Sequence, residues 1–119
     1  MEFLIVDDSK AMRMIVTRIL RQAGFEGSTF REAGDGAEAL AAIRASCPDV
    51  VLSDWNMPEM DGIQLLRALR AEEVGVPFGF ITSESTPEMR DTALAAGASF
   101  LVAKPFTAGA IQEALAGVG

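Results

Sequence analysis

The chain has 119 residues, half of them apolar, with 23% charged and 7% aromatic, which is enough for one domain with a real core and too little for two. Seventeen acids against ten bases leave a net charge of −7, which argues against a phosphate-backbone partner, so no nucleic acid is expected. Histidine is absent, which excludes Ser-His-Asp and Cys-His catalysis and His-ligated metal sites.

At the N-terminus, Phe3-Leu4-Ile5-Val6 reads as a strand buried on both faces. The segment has no basic start and its apolar run ends at Asp7-Asp8, so it is not a signal peptide. No apolar run approaches the roughly 18 residues of a membrane span; a cytoplasmic location and no membrane partner are expected. Met12, Ile15, Val16, Ile19, Leu20 and Ala23 follow helical spacing between a cap at Ser9 and a stop at Gly24. Lys10 and Arg13, early in this helix, read as solvated charges rather than phosphate-steering groups. Ser28 to Ala33 is a more polar strand, suited to a sheet edge.

Gly34-Asp35-Gly36-Ala37-Glu38-Ala39 imitates a dinucleotide fingerprint, but it falls in the second βα turn and puts Asp35 where pyrophosphate would lie. Gly36 is read instead as shaping the start of the helix over Ala37 to Ala45. Cys47, the single cysteine, is expected to be a buried structural thiol. Val50-Val51-Leu52 is the third strand. Asp54-Trp55-Asn56 opens like a calcium loop and fails at Glu59, where glycine is needed. Helical patterns over Ile63 to Ala71, Pro87 to Ala96 and Ala108 to Ala116 alternate with strands at Phe78 to Ile81 and Phe100 to Val102, which like Val50 to Leu52 read as buried on both faces. Thr86-Pro87 opens the fourth helix and Gly97 ends it. The phenylalanines, Phe106 among them, are expected in the core.

Five βα units imply a doubly wound α/β fold, a parallel five-stranded sheet with helices on both faces. In the flavodoxin-like strand order 2-1-3-4-5, the order expected here, strands one and three are neighbours. The whole chain, 1–119, is expected to be one domain with no second, output-type domain, although a fragment of a longer protein would read the same way. In such sheets ligands bind beyond the carboxyl ends of the strands, where the order reverses. There Asp7 and Asp8 follow strand one, Asp54 strand three, Thr82-Ser83 strand four, and Lys104-Pro105, an X-Pro bond open to the cis form, strand five. Three converging carboxylates repel one another unless a cation intervenes, and a hard divalent ion such as Mg²⁺ suits oxygen ligands. With a lysine and a hydroxyl at the same rim, the set suits phosphoryl transfer.

In Asp7-Asp8, Asp54-Trp55-Asn56-Met57-Pro58, Met60-Asp61-Gly62, Thr82 and Lys104-Pro105-Phe106 the chain resembles a response-regulator receiver domain along its whole length, most of all the single-domain chemotaxis regulators. The resemblance implies that Asp54 accepts a phosphoryl group from a sensor histidine kinase. It implies that Asp8, Asp54 and the backbone carbonyl of Asn56 bind Mg²⁺, with Asp7 helping partly through water. Lys104 and Thr82 would contact the phosphoryl oxygens, and Asn56 and Glu84 would tune hydrolysis of the acyl phosphate. The signal would leave through a partner such as a flagellar motor switch or other chemotaxis protein, with a phosphatase as a further partner. The family's output face would include Glu88, Arg90, Asp91, Leu101, Phe106 and Gln112. Leu101 departs from the pattern, since the family usually carries Tyr or Phe at this switch position. Phe100 should face the other side of the strand.

Within the family, the alternatives are a phosphorelay intermediate or a phosphate sink. Outside it, a haloacid-dehalogenase-type phosphohydrolase would carry D-x-D-G-T/V after strand one, where this chain has Asp7-Asp8-Ser9-Lys10. A flavodoxin-like binding module would show a flavin spectrum. If Asn56 tunes hydrolysis, Asn56→Arg will change the lifetime of the phosphorylated form, measured by loss of label after the donor is removed; an unchanged lifetime rejects that role.

Overall fold

The structure, a computed structural model, describes residues 1–118; Gly119, the last residue of the expected 1–119 unit, lies outside them. Strands and helices alternate as β1 (Glu2–Val6), α1 (Lys10–Leu20), β2 (Thr29–Ala33), α2 (Gly36–Ala45), β3 (Val50–Ser53), α3 (Gly62–Ala71), β4 (Phe78–Thr82), α4 (Pro87–Ala95), β5 (Phe100–Ala103) and α5 (Ala108–Ala116). All strand pairs are parallel and their order is β2-β1-β3-β4-β5. The fold class expected from the alternation is the one observed.

Alternate side chains of the central strands feed two cores. Leu4, Val6, Val51, Phe78 and Phe80 pack with Leu40, Leu66, Leu69 and Ala93 of α2, α3 and α4. Phe3, Ile5, Val50, Leu52 and Ile81 pack with Val16, Leu20, Ile111 and Leu115 of α1 and α5. Helix starts follow the side chains that cap them. Ser9, Asp35, Asp61, Thr86 and Thr107 each accept from a backbone N–H of the first turn, and Asp61 with Gln64 closes a capping box. The stop at Gly24 is more elaborate than expected. After Leu20 the helix widens to π geometry over Arg21–Phe25, with Gly24 at φ +103°.

Three burial expectations are corrected. Cys47 is exposed. Helix α2 ends at Ala45, so Cys47 falls in the loop beyond it, and its neighbour Pro48 turns inward instead. The fifth strand is not buried on both faces: Leu101 is buried, Phe100 and Val102 are half-buried and Ala103 is exposed. As the last strand of the sheet it has a neighbour on one side only. Phe106 is half-buried at the margin of the α1/α5 core.

Phe100 and Leu101 face opposite sides, as the strand pleat requires. Leu101 joins the α2/α3/α4 core, whereas the Phe100 ring lies over Gly79 on the α1/α5 side. A Cβ on Gly79 would meet that ring. Gly79→Ala is therefore expected to cost about 1–3 kcal/mol through overpacking, read by urea unfolding. In a Phe100→Ala background the same change should cost clearly less; equal costs in both backgrounds would dissociate the glycine from the ring.

Candidate phosphoryl-transfer site

The carboxyl ends of β1, β3, β4 and β5 bring Asp7, Asp8, Asp54, Thr82 and Lys104 to one edge of the sheet. Asp7, Asp8 and Asp54 each offer a carboxylate oxygen within 4.8 Å of the others. Lys104 ties two of them together: its Nζ donates to Asp7 Oδ2 at 3.0 Å and lies 3.6 Å from Asp54 Oδ2. The lysine reaches this point because its own N–H continues the β4–β5 ladder onto Thr82 O at 2.8 Å. The Lys104-Pro105 bond is cis.

Asp7 is buried and Asp8 exposed, although they are neighbours. Asp7 N–H donates to Ala33 O at 3.1 Å, extending the pairing with β2, and its Oδ1 accepts from Ser9 N–H at 2.9 Å. Asp54 is held between: its N–H donates to Val6 O at 2.8 Å, and its Oδ1 accepts from Trp55 N–H at 2.8 Å. Burial pushes the Asp54 carboxyl above the ordinary carboxylate range and Asp7 adds repulsion, against the pull of Lys104 and the Trp55 N–H. Thr82 is fully buried, and its hydroxyl accepts from Glu84 N–H at 3.3 Å. Asn56 and Glu84, the expected tuning residues, are both exposed at the rim.

The loop after Asp54 is pinned from two directions. Gly62 N–H donates to Trp55 O at 2.7 Å, and a Cβ on Gly62 would strike Asp54 O. Gly36 N–H donates to Met60 O at 3.0 Å, where a Cβ would collide with the same carbonyl. Gly36 thus does more than start α2: it lets the Asn56 loop dock on that helix. Glu59 within the loop sits at φ +66°, a left-handed conformation that its surroundings must hold. The Trp55 ring lies against Phe80, centroids 4.7 Å apart.

Arg13 is not the solvated charge expected from sequence. Its Nε donates to Glu32 Oε1 at 2.8 Å and its Nη1 to Asp7 O at 2.5 Å. Those acceptors lie on β2 and on the β1–α1 turn, too far apart in sequence for spacing to suggest them. Lys10 is exposed, as expected. On the expected output face Glu88, Arg90, Asp91 and Gln112 are exposed but Leu101 is not, because its side chain packs inward; Leu94 of α4 is exposed beside them.

This chain belongs to the response regulator receiver domain family, whose sequence model matches residues 3–116. It is similar to chemotaxis protein CheY-3 of Vibrio cholerae serotype O1, at 43% identity over 117 residues that cover 97% of this chain and 88% of that protein. Chemotaxis protein CheY of Pseudomonas aeruginosa is 42% identical over 115 residues, covering 95% of this chain and 91% of its own length. The solved structure of V. cholerae chemotaxis protein CheY4 matches with a TM-score of 0.86 at 34% identity, over 99% of this chain and 98% of that one.

The raised Asp54 pKa has a consequence for stability. The folded state holds this proton more tightly than the unfolded chain, so folding is favoured at low pH and loses that favour as pH rises through the folded pKa. Asp54→Asn should accordingly melt at higher temperature than wild type near neutral pH in Mg²⁺-free buffer. The gain should shrink as pH falls toward the ordinary carboxylate range; a variant no more stable than wild type at neutral pH contradicts this.

Proposed function

We propose that the chain is a phosphorylation-activated switch in which Asp54 accepts a phosphoryl group from a sensor histidine kinase. The observation that carries this reading is the convergence of Asp7, Asp8 and Asp54 within 4.8 Å, with Lys104 against Asp7 and Asp54. Three hard oxygen donors with compressed like charges fit Mg²⁺, held by the carboxylates of Asp8 and Asp54 and the carbonyl of Asn56, with Asp7 assisting through water. When bound, the ion would neutralise the carboxylates and offset charge on the phosphoryl oxygens.

A carboxylate oxygen of Asp54 attacks the phosphorus of the phosphohistidine. The P–N bond breaks, its electron pair stays on the imidazole nitrogen, which then takes up a proton, and a mixed anhydride forms on Asp54. Lys104 pairs with the phosphoryl oxygens, and the Thr82 hydroxyl donates to one of them. Hydrolysis follows when water attacks the phosphorus, releasing phosphate and restoring Asp54. The exposed Asn56 and Glu84 leave room for that water, which supports moderately fast self-dephosphorylation. The reaction is a single-turnover switch on the protein itself rather than classical enzyme turnover. The switch is read as working in the cytoplasm, where a sensor kinase's phosphohistidine would meet it.

The relatives are named chemotaxis proteins and match over 88% and 91% of their own lengths. That supports a receiver that signals to a chemotaxis partner such as a motor switch, with a phosphatase resetting it. The face around α4, β5 and α5 would carry the signal, Leu101 acting from beneath it. The burial of Leu101 at 4% exposure favours a second reading. A leucine has no polar tip to carry outward, so a phosphorelay intermediate or phosphate sink, needing less surface change, is the alternative.

Trp55 is the only tryptophan, adjacent to Asp54, in a chain without tyrosine. Its emission should respond saturably to Mg²⁺, with the response lost in Asp8→Ala. Beryllofluoride, a phosphoryl mimic, should then give a second response that is lost in Asp54→Asn. Acyl phosphate and phosphoramidate donors should label wild type alone, with no turnover of phosphomonoesters. A folded wild-type protein silent to both additions and unlabelled by both donors would reject the proposal.

A further inference from the structure

Asp8 is exposed, and among the described residues no hydrogen bond from another residue holds its carboxylate. What aims it is therefore the peptide from which it projects. A trans peptide is rigid, so the carbonyl of Asp7 and the N–H and Cα of Asp8 move as one plane. The Asp7 backbone is held on both sides. Its N–H donates to Ala33 O at 3.1 Å, and its carbonyl accepts from Arg13 Nη1 at 2.5 Å.

Arg13 is itself anchored. It stands in the second turn's approach of α1, its side chain only 16% exposed, and its Nε is fixed by Glu32 Oε1 at 2.8 Å on β2. Glu32 pairs in register with Ile5, two residues before Asp7, so the anchor belongs to the same β1–β2 ladder that carries the acidic turn. The planar guanidinium uses two of its donors, one on the strand and one on the carbonyl, a fork that lysine does not possess.

We propose that Arg13 is a positioning residue for the cation site, holding the Asp7–Asp8 peptide so that the Asp8 carboxylate points at Asp54. This rests on the Mg²⁺ reading given above. The charge of Arg13 works in the opposite direction. A guanidinium near the site repels a divalent cation, and Glu32 only offsets that repulsion. The two effects predict opposite signs. Were Arg13 felt only through charge, Arg13→Gln would tighten Mg²⁺ binding. As a clamp, its removal weakens binding, and removal of an outer partner of a metal ligand lowers metal affinity about 10–100-fold.

The test is Mg²⁺ affinity by Trp55 emission, checked by calorimetry, for wild type, Arg13→Gln, Arg13→Lys and the charge-balanced pair Arg13→Gln with Glu32→Gln. Arg13→Gln and the balanced pair should both bind about 10–100-fold more weakly, with Arg13→Lys between them and wild type. The labelling rate of Arg13→Gln with an acyl phosphate should recover at saturating Mg²⁺, which a general loss of fold would not allow. Wild-type affinity or tighter binding in folded Arg13→Gln overturns the proposal. If that variant fails to fold, Arg13→Lys decides it, and wild-type affinity there does the same. A wild-type protein with no Asp8-dependent Mg²⁺ response removes the metal reading together with this one, whereas a responsive wild type matched by its Arg13 variants removes this one alone.

Discussion

Asp7, Asp8 and Asp54 are held together against their own repulsion, and much of the structure around them is arranged to bear that load. Lys104 offsets part of it from just past the end of β5, nearly a hundred residues from Asp7 in sequence. Backbone N–H groups of Ser9 and Trp55 take further lone pairs of Asp7 and Asp54. These contacts leave the Asp54 carboxyl still displaced upward, chiefly by burial. A residual cost of this kind is one that a bound cation would relieve.

Positioning these groups needs a rigid frame, and the parallel sheet supplies it. β1 and β3 are neighbours because the chain order reverses there, which is why acids from residues 7 and 54 meet. The frame is tightened where backbone approaches backbone. Gly62 abuts the Asp54 carbonyl and Gly36 abuts the Met60 carbonyl, so the loop bearing Asn56 is set from both the strand and the adjoining helix. Arg13 and Glu32 perform the corresponding task for the turn after β1. Both acid-bearing turns are therefore stiffened by contacts to the β2–α2 side of the molecule.

The other end of the sheet is organised differently. In β5 the large ring belongs to Phe100, stacked over a glycine on the α1/α5 side, while Leu101 occupies the core beneath α4. Thr82 lies on the neighbouring strand, paired with Ala103, so a displacement of Thr82 would be felt at β5 through packing rather than through a polar side chain. That distinguishes how a phosphoryl group at Asp54 would be sensed from how it would be bound.

The parallel strands alternating with helices, the helix spans to within a residue or two at most ends, and the placing of Asp7, Asp8, Asp54, Thr82 and Lys104 just past strand ends were legible in the amino-acid sequence; the strand order came with the family resemblance. Local physics writes these features: apolar runs for buried strands, Ser, Asp and Thr caps at helix starts, and the rule that sites form at carboxyl strand ends. What only tertiary structure decided involves partners distant along the chain. Arg13 reads as a solvated charge until β2 brings Glu32 beside it, and Gly36 as a helix start until the Met60 carbonyl packs onto it. Cys47 reads as buried until the chain, leaving α2, turns Pro48 inward instead. Residue type and spacing report what a side chain prefers on its own segment; which atoms oppose it depends on how the segments pack, and that is decided by the whole core at once.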